Sequence, residues 1–482
     1  MERALIELQI KNAVTRLIAD RDTLLAVSDL LSFEVPGAHF AMKTMPKGRW
    51  DGRKRLMRAD GSFPAGLTGS VINYFLKAKV KIDTVTDFRE RPSPRYDWKF
   101  QVPFTPRDYQ TAAAKLTDDR VRGIFVVGTG GGKTSIATMI TQRRGVDTLF
   151  VAPDTGLREQ VFETFARFFG PREVSMDLQS RAPIVVTNIQ AIGAFLPTKN
   201  KLTKEVKPPK KDPKAFARFG MLLVDEFHHA ASDRYLHLNR LASGAYWRYG
   251  LTGTFIRPDG KDMIMHGVLS NILVTMTTSD LIDAGWLVPA DVTMHKWRAK
   301  GYSRFSYKEA YKRIVTDGSF NAFVAARIRE RVREEGKQTL VLVRYKEHGG
   351  LLKDMLAGDA LYVDGDDTAL VRERAKRLFS EKKIKCLIAT NIFGEGQDIP
   401  SIDCLINARL QESEIQTKQG IGRALRLAAG ARNYEESITL GKSRAHVEDF
   451  FIEGNRYLKD HSESRIEQYR SERAFRIEIA GD

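Results

Sequence analysis

The segment MLLVDEFH, residues 221–228, is the stretch that decides the fold of this chain. Four apolar residues lead directly into two adjacent carboxylates, Asp225 and Glu226. A continuous apolar run is typical of a parallel strand buried on both faces, and α/β proteins bind ligands at the carboxyl ends of such strands. The segment therefore predicts a metal-nucleotide site at the end of a buried strand.

A glycine-dense segment, VGTGGGKT at residues 127–134, lies upstream and joins an apolar run to a helical pattern. Small residues allow backbone N–H groups to close around phosphates, Lys133 is placed to reach the β- and γ-phosphates, and the Thr134 hydroxyl to ligate Mg²⁺. The strict pattern has glycine at position 127, where this chain has Val127. The residues expected to line the phosphates are Thr129, Gly130, Gly131 and Gly132.

The two segments together predict ATP as ligand and Mg²⁺ as cofactor. Asp225 is expected to hold Mg²⁺, directly or through water, and Glu226 to polarise the attacking water as a general base. The acidic pair alone would be a weak signal. His228 is assigned to coupling, because no cysteine or carboxylate cluster with zinc spacing accompanies it.

An arginine pair, in QGIGRALR at residues 419–426, is the third element of this site. Arg423 and Arg426 are three positions apart, so both can point from one face of a helix. Arginine can stabilise charge on a transferring phosphoryl group. The pair alone could be a surface patch, but opposite a phosphate loop on another lobe it would act as an arginine finger.

The composition indicates a basic globular protein of 482 residues, too long for one hydrophobic core. Its 77 Lys and Arg outnumber its 60 Asp and Glu, and the net charge of +17 favours nucleic acid over neutral partners. The sequence has no apolar run of membrane-spanning length and no signal-peptide pattern at its start. Only two cysteines occur, Cys386 and Cys404, both in apolar runs, so we expect a cytoplasmic protein with no membrane association.

The order of apolar runs predicts an α/β protein with two tandem RecA-like parallel-sheet lobes, a small N-terminal α+β accessory domain and a C-terminal helical tail. The predicted domains are an accessory DNA-binding domain (1–103), an ATP-binding lobe 1 (104–290), a lobe 2 (291–445) and a helical extension (446–482). A lysine-rich, proline-containing loop at 199–214 is equally compatible with DNA contact and with a solvated surface.

The accessory domain combines basic residues with aromatic ones between residues 40 and 63. This mixture suits a nucleic-acid surface, because cations meet phosphates while aromatic rings stack on bases. Trp50 and Arg53 are the candidate contacts. Phe63 is better explained as part of a small core.

The ordered motifs resemble those of superfamily 2 helicases, over residues 104 to about 430. The set comprises FTPRDYQ (104–110), GGGKT (130–134), APDTGLREQ (152–160), TNIQ (187–190), DEFH (225–228), LTGT (251–254), VRY (343–345), TNIFGEGQDIP (390–400) and QGIGRALR (419–426). Within that superfamily, the segments WDGR (50–53), SDLIDAGWLVP (279–289) and HSESRIEQY (461–469) resemble phage recombination helicases of the UvsW type, related to XPB- and RecG-like translocases.

The resemblance implies roles for residues that the chemistry alone does not assign. Adenine recognition is implied for Arg107 and Gln110, nucleotide contact for Gly396 and Asp398, and catalysis for Gln419. Coupling of hydrolysis to movement is implied for His228, Thr252 and Thr254. Contact with nucleic acid is implied for Pro153, Thr187, Arg344 and Thr390.

The resemblance also implies a substrate: branched DNA, such as Holliday junctions, forks and displacement loops, tracked 3′→5′ without sequence preference. We expect a protein that is monomeric when unbound and acts in a phage-infected host. Two alternatives remain at this point. One is an RNA helicase or the motor of a restriction system, and the other is an annealing or scaffold protein with a vestigial ATP site.

Overall fold

A computed structural model describes residues 5–35, 37–43, 50–199, 205–227, 233–253, 262–390, 402–412 and 414–481. The chain divides into two compact units. The first contains residues 1–127 and 132–275, and the second contains residues 128–131 and 276–482. Our predicted boundary between the lobes, at residue 290, falls inside the second unit.

The first unit begins with the N-terminal domain. Its strands are β1 (Glu7–Ile10), β2 (Val14–Ile18), β3 (Ser32–Glu34), β4 (Arg53–Arg55), β5 (Ser62–Pro64) and β6 (Thr84–Asp87). Its helices are α1 (Arg21–Leu30), α2 (Ala38–Lys43) and α3 (Thr68–Lys77). The sheet has the order β5-β2-β1-β6, and β3 and β4 form a separate antiparallel pair. Gly61 adopts φ +78° in a turn where a Cβ would overlap the Leu17 carbonyl, which explains why glycine occupies this position.

Lobe 1 completes the first unit as a seven-stranded sheet with the order β15-β7-β14-β13-β8-β10-β9. Its sheet strands are β7 (Arg122–Val127), β8 (Thr148–Ala152), β9 (Val174–Ser175), β10 (Ile184–Asn188), β13 (Met221–Val224), β14 (Trp247–Thr252) and β15 (Ile272–Met276). A small pair, β11 (Thr198–Lys199) and β12 (Val206–Lys207), lies within the predicted basic loop. The helices are α4 (Asp108–Leu116), α5 (Lys133–Arg144), α6 (Thr155–Phe169), α7 (Asp233–Leu241) and α8 (Asp262–Leu269).

The central strands of lobe 1 confirm the sequence pattern. All four residues of β13 are buried, and β13 pairs in parallel with β8 and β14. Parallel pairing brings the carboxyl ends of these strands to one edge of the sheet, where the acidic pair follows β13.

The N-terminal domain and lobe 1 share one hydrophobic core, although the sequence suggested a separate segment. The Asn239 side-chain amide donates to the Ala13 carbonyl (2.8 Å), and Arg122 Nη2 donates to the Asn12 carbonyl (2.7 Å). A Cβ at Gly66 would overlap the His266 carbonyl, so the two backbones touch. The domain is therefore fixed to lobe 1 by apolar packing and by buried hydrogen bonds.

The proline-containing segment at residues 91–95, which connects the N-terminal domain to lobe 1, packs against lobe 1. The backbone N–H groups of Arg95 and Tyr96 donate to the Gly145 carbonyl. Asp147 accepts from the Arg95 guanidinium, the Tyr96 hydroxyl and the Arg218 guanidinium, each at 3.1 Å. This connection holds the domain in place.

Lobe 2 forms a second seven-stranded sheet with the order β18-β19-β17-β20-β21-β16-β22, in which the strand pairs are parallel. Its strands are β16 (Ala290–Arg298), β17 (Thr339–Leu342), β18 (Ala360–Val363), β19 (Cys386–Ala389), β20 (Cys404–Asn407), β21 (Ala445–Glu453) and β22 (Arg476–Ala480). Its helices are α9 (Thr278–Asp283), α10 (Tyr307–Val315), α11 (Gly318–Arg329), α12 (Lys346–Leu356), α13 (Ala369–Ser380), α14 (Glu414–Ala424), α15 (Tyr434–Thr439) and α16 (Arg456–Arg470). Cys386 and Cys404 are buried, as predicted.

The C-terminal segment corrects the prediction of a purely helical tail, because it supplies two strands of this sheet, β21 and β22, as well as helix α16. A buried ion pair joins the helix to the sheet: Arg465 Nε lies 3.0 Å from Asp449 Oδ2, and both side chains are fully buried. The Tyr469 hydroxyl donates to the same carboxylate (2.5 Å). The tail is therefore part of lobe 2.

Within the described residues, no helix has both the length and the apolar character that crossing a membrane requires.

The buried His348, on α12, leads us to expect that lobe 2 loses folding stability in acid. It is fully buried, and among the described residues neither of its ring nitrogens has a hydrogen-bond partner. Burial lowers its pKa from 6.5 to about 4. Below pH 6.5, His348 therefore binds a proton in the unfolded chain but not in the folded protein. Folding stability is full at neutral pH and falls as the pH drops towards 4. Between pH 6.5 and 5, this loss is about 2 kcal/mol.

Replacing His348 with leucine should remove its contribution to the pH-dependent loss of folding stability. Urea unfolding at pH 6.5 and pH 5 should show a smaller pH-dependent loss for His348→Leu than for the unmodified protein. The exposed His39→Leu should behave like the unmodified protein. An equal loss of stability between pH 6.5 and pH 5 in all three proteins would contradict the assignment of this loss to His348.

Candidate nucleotide site

The glycine loop ends at the start of α5. Gly130 and Gly132 have φ of +86° and +76°, in the left-handed region that favours glycine. Gly132 is the N-terminal cap of the helix, and the Gly131 N–H donates to the Gly128 carbonyl (3.0 Å). The loop thus turns tightly into a helix N-terminus, whose free N–H groups and dipole favour an anion.

The predicted catalytic cation and carboxylate lie in direct contact. Lys133 Nζ is 3.0 Å from Glu226 Oε1, and both side chains are largely buried. Glu226 has φ +41°, rare for a residue with a side chain, and its N–H donates to Asp225 Oδ1 (2.9 Å). Such local strain is concentrated at functional sites.

Burial and mutual repulsion shape the electrostatics of this group. Burial, followed by the charge of Glu226, raises the pKa of Asp225 to about 7, although Lys133 opposes the shift. Burial alone would lower the pKa of Lys133, but the charges of Glu226 and Asp225 outweigh it, so the pKa is raised. Two carboxylates therefore share one ammonium group, an arrangement that an additional cation would stabilise.

The Thr134 hydroxyl follows Lys133 and adds a neutral oxygen to the donor set. Carboxylate and hydroxyl oxygens are hard ligands of the kind that Mg²⁺ prefers. The residues present therefore fit a Mg²⁺-nucleotide.

The implied adenine-reading residues pack beside the loop. Gln110 is buried, its Oε1 accepts from the Arg107 N–H (3.0 Å), and a Cβ at Gly132 would overlap its Nε2. Arg107 Nη1 donates to the Tyr109 hydroxyl (3.2 Å). The structure thus brings Gln110 and the phosphate loop together.

The two lobe 1 segments implied in nucleic-acid contact are neighbours at the same sheet edge. Gln190 Nε2 donates to the Pro153 carbonyl (2.8 Å), and Asn188 Nδ2 donates to the Thr155 hydroxyl (3.1 Å). The Pro153 and Thr187 side chains themselves are buried. Thr252, implied in coupling, is buried at the end of β14.

In lobe 2, Arg423 is buried on α14, and Arg426 follows the helix half-buried. Thr390 is buried just beyond β19. Arg344 donates to the Tyr307 hydroxyl (3.2 Å), and its guanidinium lies 5.1 Å from the centre of the Tyr311 ring.

Trp50 and Arg53, the candidate contacts of the N-terminal domain, are half-buried. The Trp50 indole N–H donates to the Arg53 carbonyl (2.8 Å), and Arg53 Nε donates to the Ser32 hydroxyl (2.9 Å). Phe63 is 1% exposed and belongs to the core, as predicted.

Five predicted residues are not described in full. His228, Thr254, Gly396 and Asp398 lie outside the described residues, and so does the side chain of Gln419.

Sequence reasoning made no prediction for Lys442, whose side chain binds the backbone of the arginine segment at Arg426. It is 5% exposed, and its Nζ donates to the carbonyls of Arg426 (2.6 Å) and Ile402 (2.7 Å). Burial lowers its pKa to about 7. A single lysine in a loop carries no sequence signal for this role, because its partners are backbone atoms of distant segments.

Three family models match the chain in succession. They are "DNA helicase UvsW, N-terminal" over residues 6–84, "Type III restriction enzyme, res subunit" over 103–257, and "Helicase conserved C-terminal domain" over 323–428. The first covers the accessory domain, and the others cover the two lobes with their motifs. The chain is a superfamily 2 DNA helicase.

Relatives of this helicase include a protein of similar length. The ATP-dependent DNA helicase uvsW of Enterobacteria phage T4 is 24% identical over 95% of both chains. The DNA 3′-5′ translocase XPB2 of Sulfurisphaera tokodaii is 30% identical over 44% of each. The structure of S. cerevisiae Dbp5 bound to RNA and ADP BeF3 has the same fold, with a TM-score of 0.51, 14% identity, and coverage of 78% of this chain and 90% of that one.

The chain is therefore an ATP-hydrolysing DNA helicase, and the glycine loop, the Lys133 ammonium group and the acidic pair of lobe 1 form its candidate nucleotide site.

Proposed function

We propose that this helicase uses ATP hydrolysis to move along and remodel branched DNA: four-way junctions, forks and displacement loops. The observation that carries the proposal is the accessory domain. It resembles the N-terminal domain of a phage DNA helicase. It also shares a hydrophobic core with lobe 1 instead of being joined to it by a flexible linker. A second DNA-binding surface that moves with the motor suits a substrate with more than one arm.

The nucleotide is held by residues with distinct tasks. Gln110 and Arg107 recognise adenine, and the backbone of residues 129–132 cradles the phosphates together with Lys133. Thr134 and Asp225 would hold Mg²⁺, which supplies charge neutralisation between the β- and γ-phosphates when bound.

Glu226 acts as the general base. In the absence of nucleotide it is paired with Lys133. When Lys133 pairs with the γ-phosphate in place of Glu226, the Glu226 carboxylate can accept a proton from the attacking water.

Lobe 2 completes the site on closure. Arg423 and Arg426 stabilise the charge on the transferring phosphoryl group, with Gln419, Gly396 and Asp398 contributing to the closed site.

Opening and closure then move the DNA-contacting segments past one another. The contacts in lobe 1 are near Pro153 and Thr187, and those in lobe 2 are near Arg344 and Thr390. The residues that couple this movement to hydrolysis are His228, Thr252 and Thr254. Contacts to the phosphate backbone make the movement indifferent to sequence.

In the simplest form of this mechanism, one molecule of the helicase acts as a monomer and tracks 3′→5′ along DNA. Trp50 and Arg53 belong to the additional DNA surface of the accessory domain. An RNA helicase, a restriction-type translocase and an annealing protein are the competing functions that the first experiment below distinguishes.

Substrate preference tests the proposal directly. Four-way junctions, forks, blunt duplex DNA and duplex RNA of equal length should be offered with ATP, and strand release followed on native gels. We expect release from junctions and forks, and little from blunt DNA or RNA duplexes. Equal release from all DNA forms would remove the preference for branches, and a preference for RNA would contradict the DNA assignment.

Arg423→Ala should slow ATP hydrolysis by about 10³-fold while leaving ATP binding nearly unchanged, because the arginine acts on the transition state and not on the ground state. Steady-state phosphate release and titration with a fluorescent ATP analogue measure the two properties.

The exposed Arg432, paired with Glu436, gives a matched control. Arg432→Ala should hydrolyse ATP normally. Because Arg423 is buried, thermal unfolding of each variant must show an intact fold. A folded Arg423→Ala protein with normal turnover would exclude this arginine from the site.

A further inference from the structure

Helix α2 (Ala38–Lys43) presents a large aromatic side chain, Phe40, to solvent, although it belongs to a small domain with a well-packed core. Phe40 is 67% exposed and Met42 is 42% exposed. The only ring packed against Phe40 among the described residues is that of its neighbour His39, at a centroid distance of 4.0 Å. Phe40 therefore contributes little to the stability of the domain.

The helix is nevertheless fixed in place by its opposite face. A Cβ added to Gly52 would meet Met42 Sδ at 3.0 Å and the Ala38 Cβ at 3.2 Å, so α2 rests on the turn before β4. The Val35 N–H donates to the Gly52 carbonyl (2.9 Å). The contacts through Ala38 and Met42 leave the Phe40 side directed outwards.

The charge around this aromatic residue favours a polyanion. Residues 35–58 contain seven lysines and arginines and one acidic residue, Asp51. Lys54 is paired with Asp233, and Arg55 with Asp29 and Asp51, so part of the charge is used within the protein. The ammonium group of Lys43 lies 6.0 Å from the centre of the Phe40 ring. Cations beside an exposed ring match a nucleic acid, which offers phosphates and base faces together.

The support behind the helix is rigid. The strands β3 and β4, which pair beside that turn, lead into the core that the N-terminal domain shares with lobe 1, through Phe33 and Leu56. A side chain that separates paired bases needs such support, because it must resist the force with which the duplex is drawn against it.

We propose that Phe40 is a wedge that stacks on the terminal base pair where duplex DNA opens, and that α2 is a strand-separating element of this helicase. The inference rests on the proposed function, since it presupposes DNA drawn along by the lobes. Translocation along a single strand does not need the wedge, whereas opening a duplex does. The two activities therefore separate when Phe40 is changed.

The experiment compares Phe40→Ala and Phe40→Trp with Leu76→Ala in the full-length protein. Leu76 is 68% exposed on α3 of the same domain and gives a matched loss of exposed apolar surface. ATP hydrolysis is measured on single-stranded DNA, and strand release on a fork that carries 2-aminopurine at the last base pair of the duplex.

Phe40→Ala should release strands about tenfold more slowly than the unmodified protein, while its hydrolysis on single-stranded DNA stays within about twofold. The Phe40→Trp and Leu76→Ala variants should release strands normally. Binding should change 2-aminopurine fluorescence in the presence of Phe40 or Trp and not with alanine, because only a ring stacks on the base.

Normal strand release by Phe40→Ala overturns the wedge, as does an unchanged 2-aminopurine signal, which would favour a protein partner for this surface. Equal loss of hydrolysis and strand release also overturns it, because Phe40 would then serve DNA binding in general. If the unmodified protein shows no DNA-stimulated hydrolysis, the proposed function itself fails.

Discussion

The ion pair between Lys133 and Glu226 is the interaction on which the candidate nucleotide site depends. A buried ammonium group and a buried carboxylate are each unfavourable alone, so the pair stabilises both side chains in this position. Asp225 adds a second carboxylate, and burial, followed by the charge of Glu226, raises its pKa although Lys133 opposes the shift. A nucleotide phosphate at Lys133 and a metal ion at the carboxylates would complete this charge balance.

The second constraint is the core that joins the N-terminal domain to lobe 1. Buried hydrogen bonds, such as that from Asn239 to the Ala13 carbonyl, tie loops of one to helices of the other. The accessory domain and lobe 1 therefore form one compact unit, without a flexible linker between them.

Local patterns were sufficient to predict the strands and helices that carry the candidate site residues. The apolar run of β13, the glycines of the phosphate loop and the arginine helix all have short-range signatures. The β21 strand did not, because its charges Glu448 and Asp449 masked it. Both are buried against distant arginines, Arg331 and Arg465, and only the tertiary fold provides those partners. The shared core and the Lys442 contacts were missed for the same reason, since they join segments far apart in the chain.

The most direct test of the central claim is steady-state phosphate release by the unmodified protein and by Lys133→Met, each with and without single-stranded DNA. Methionine keeps the length of the side chain and removes its charge. We expect DNA-stimulated release in the unmodified protein and a loss of about 10²-fold or more in a folded variant. A folded Lys133→Met protein that hydrolyses ATP at the normal, DNA-stimulated rate would contradict it.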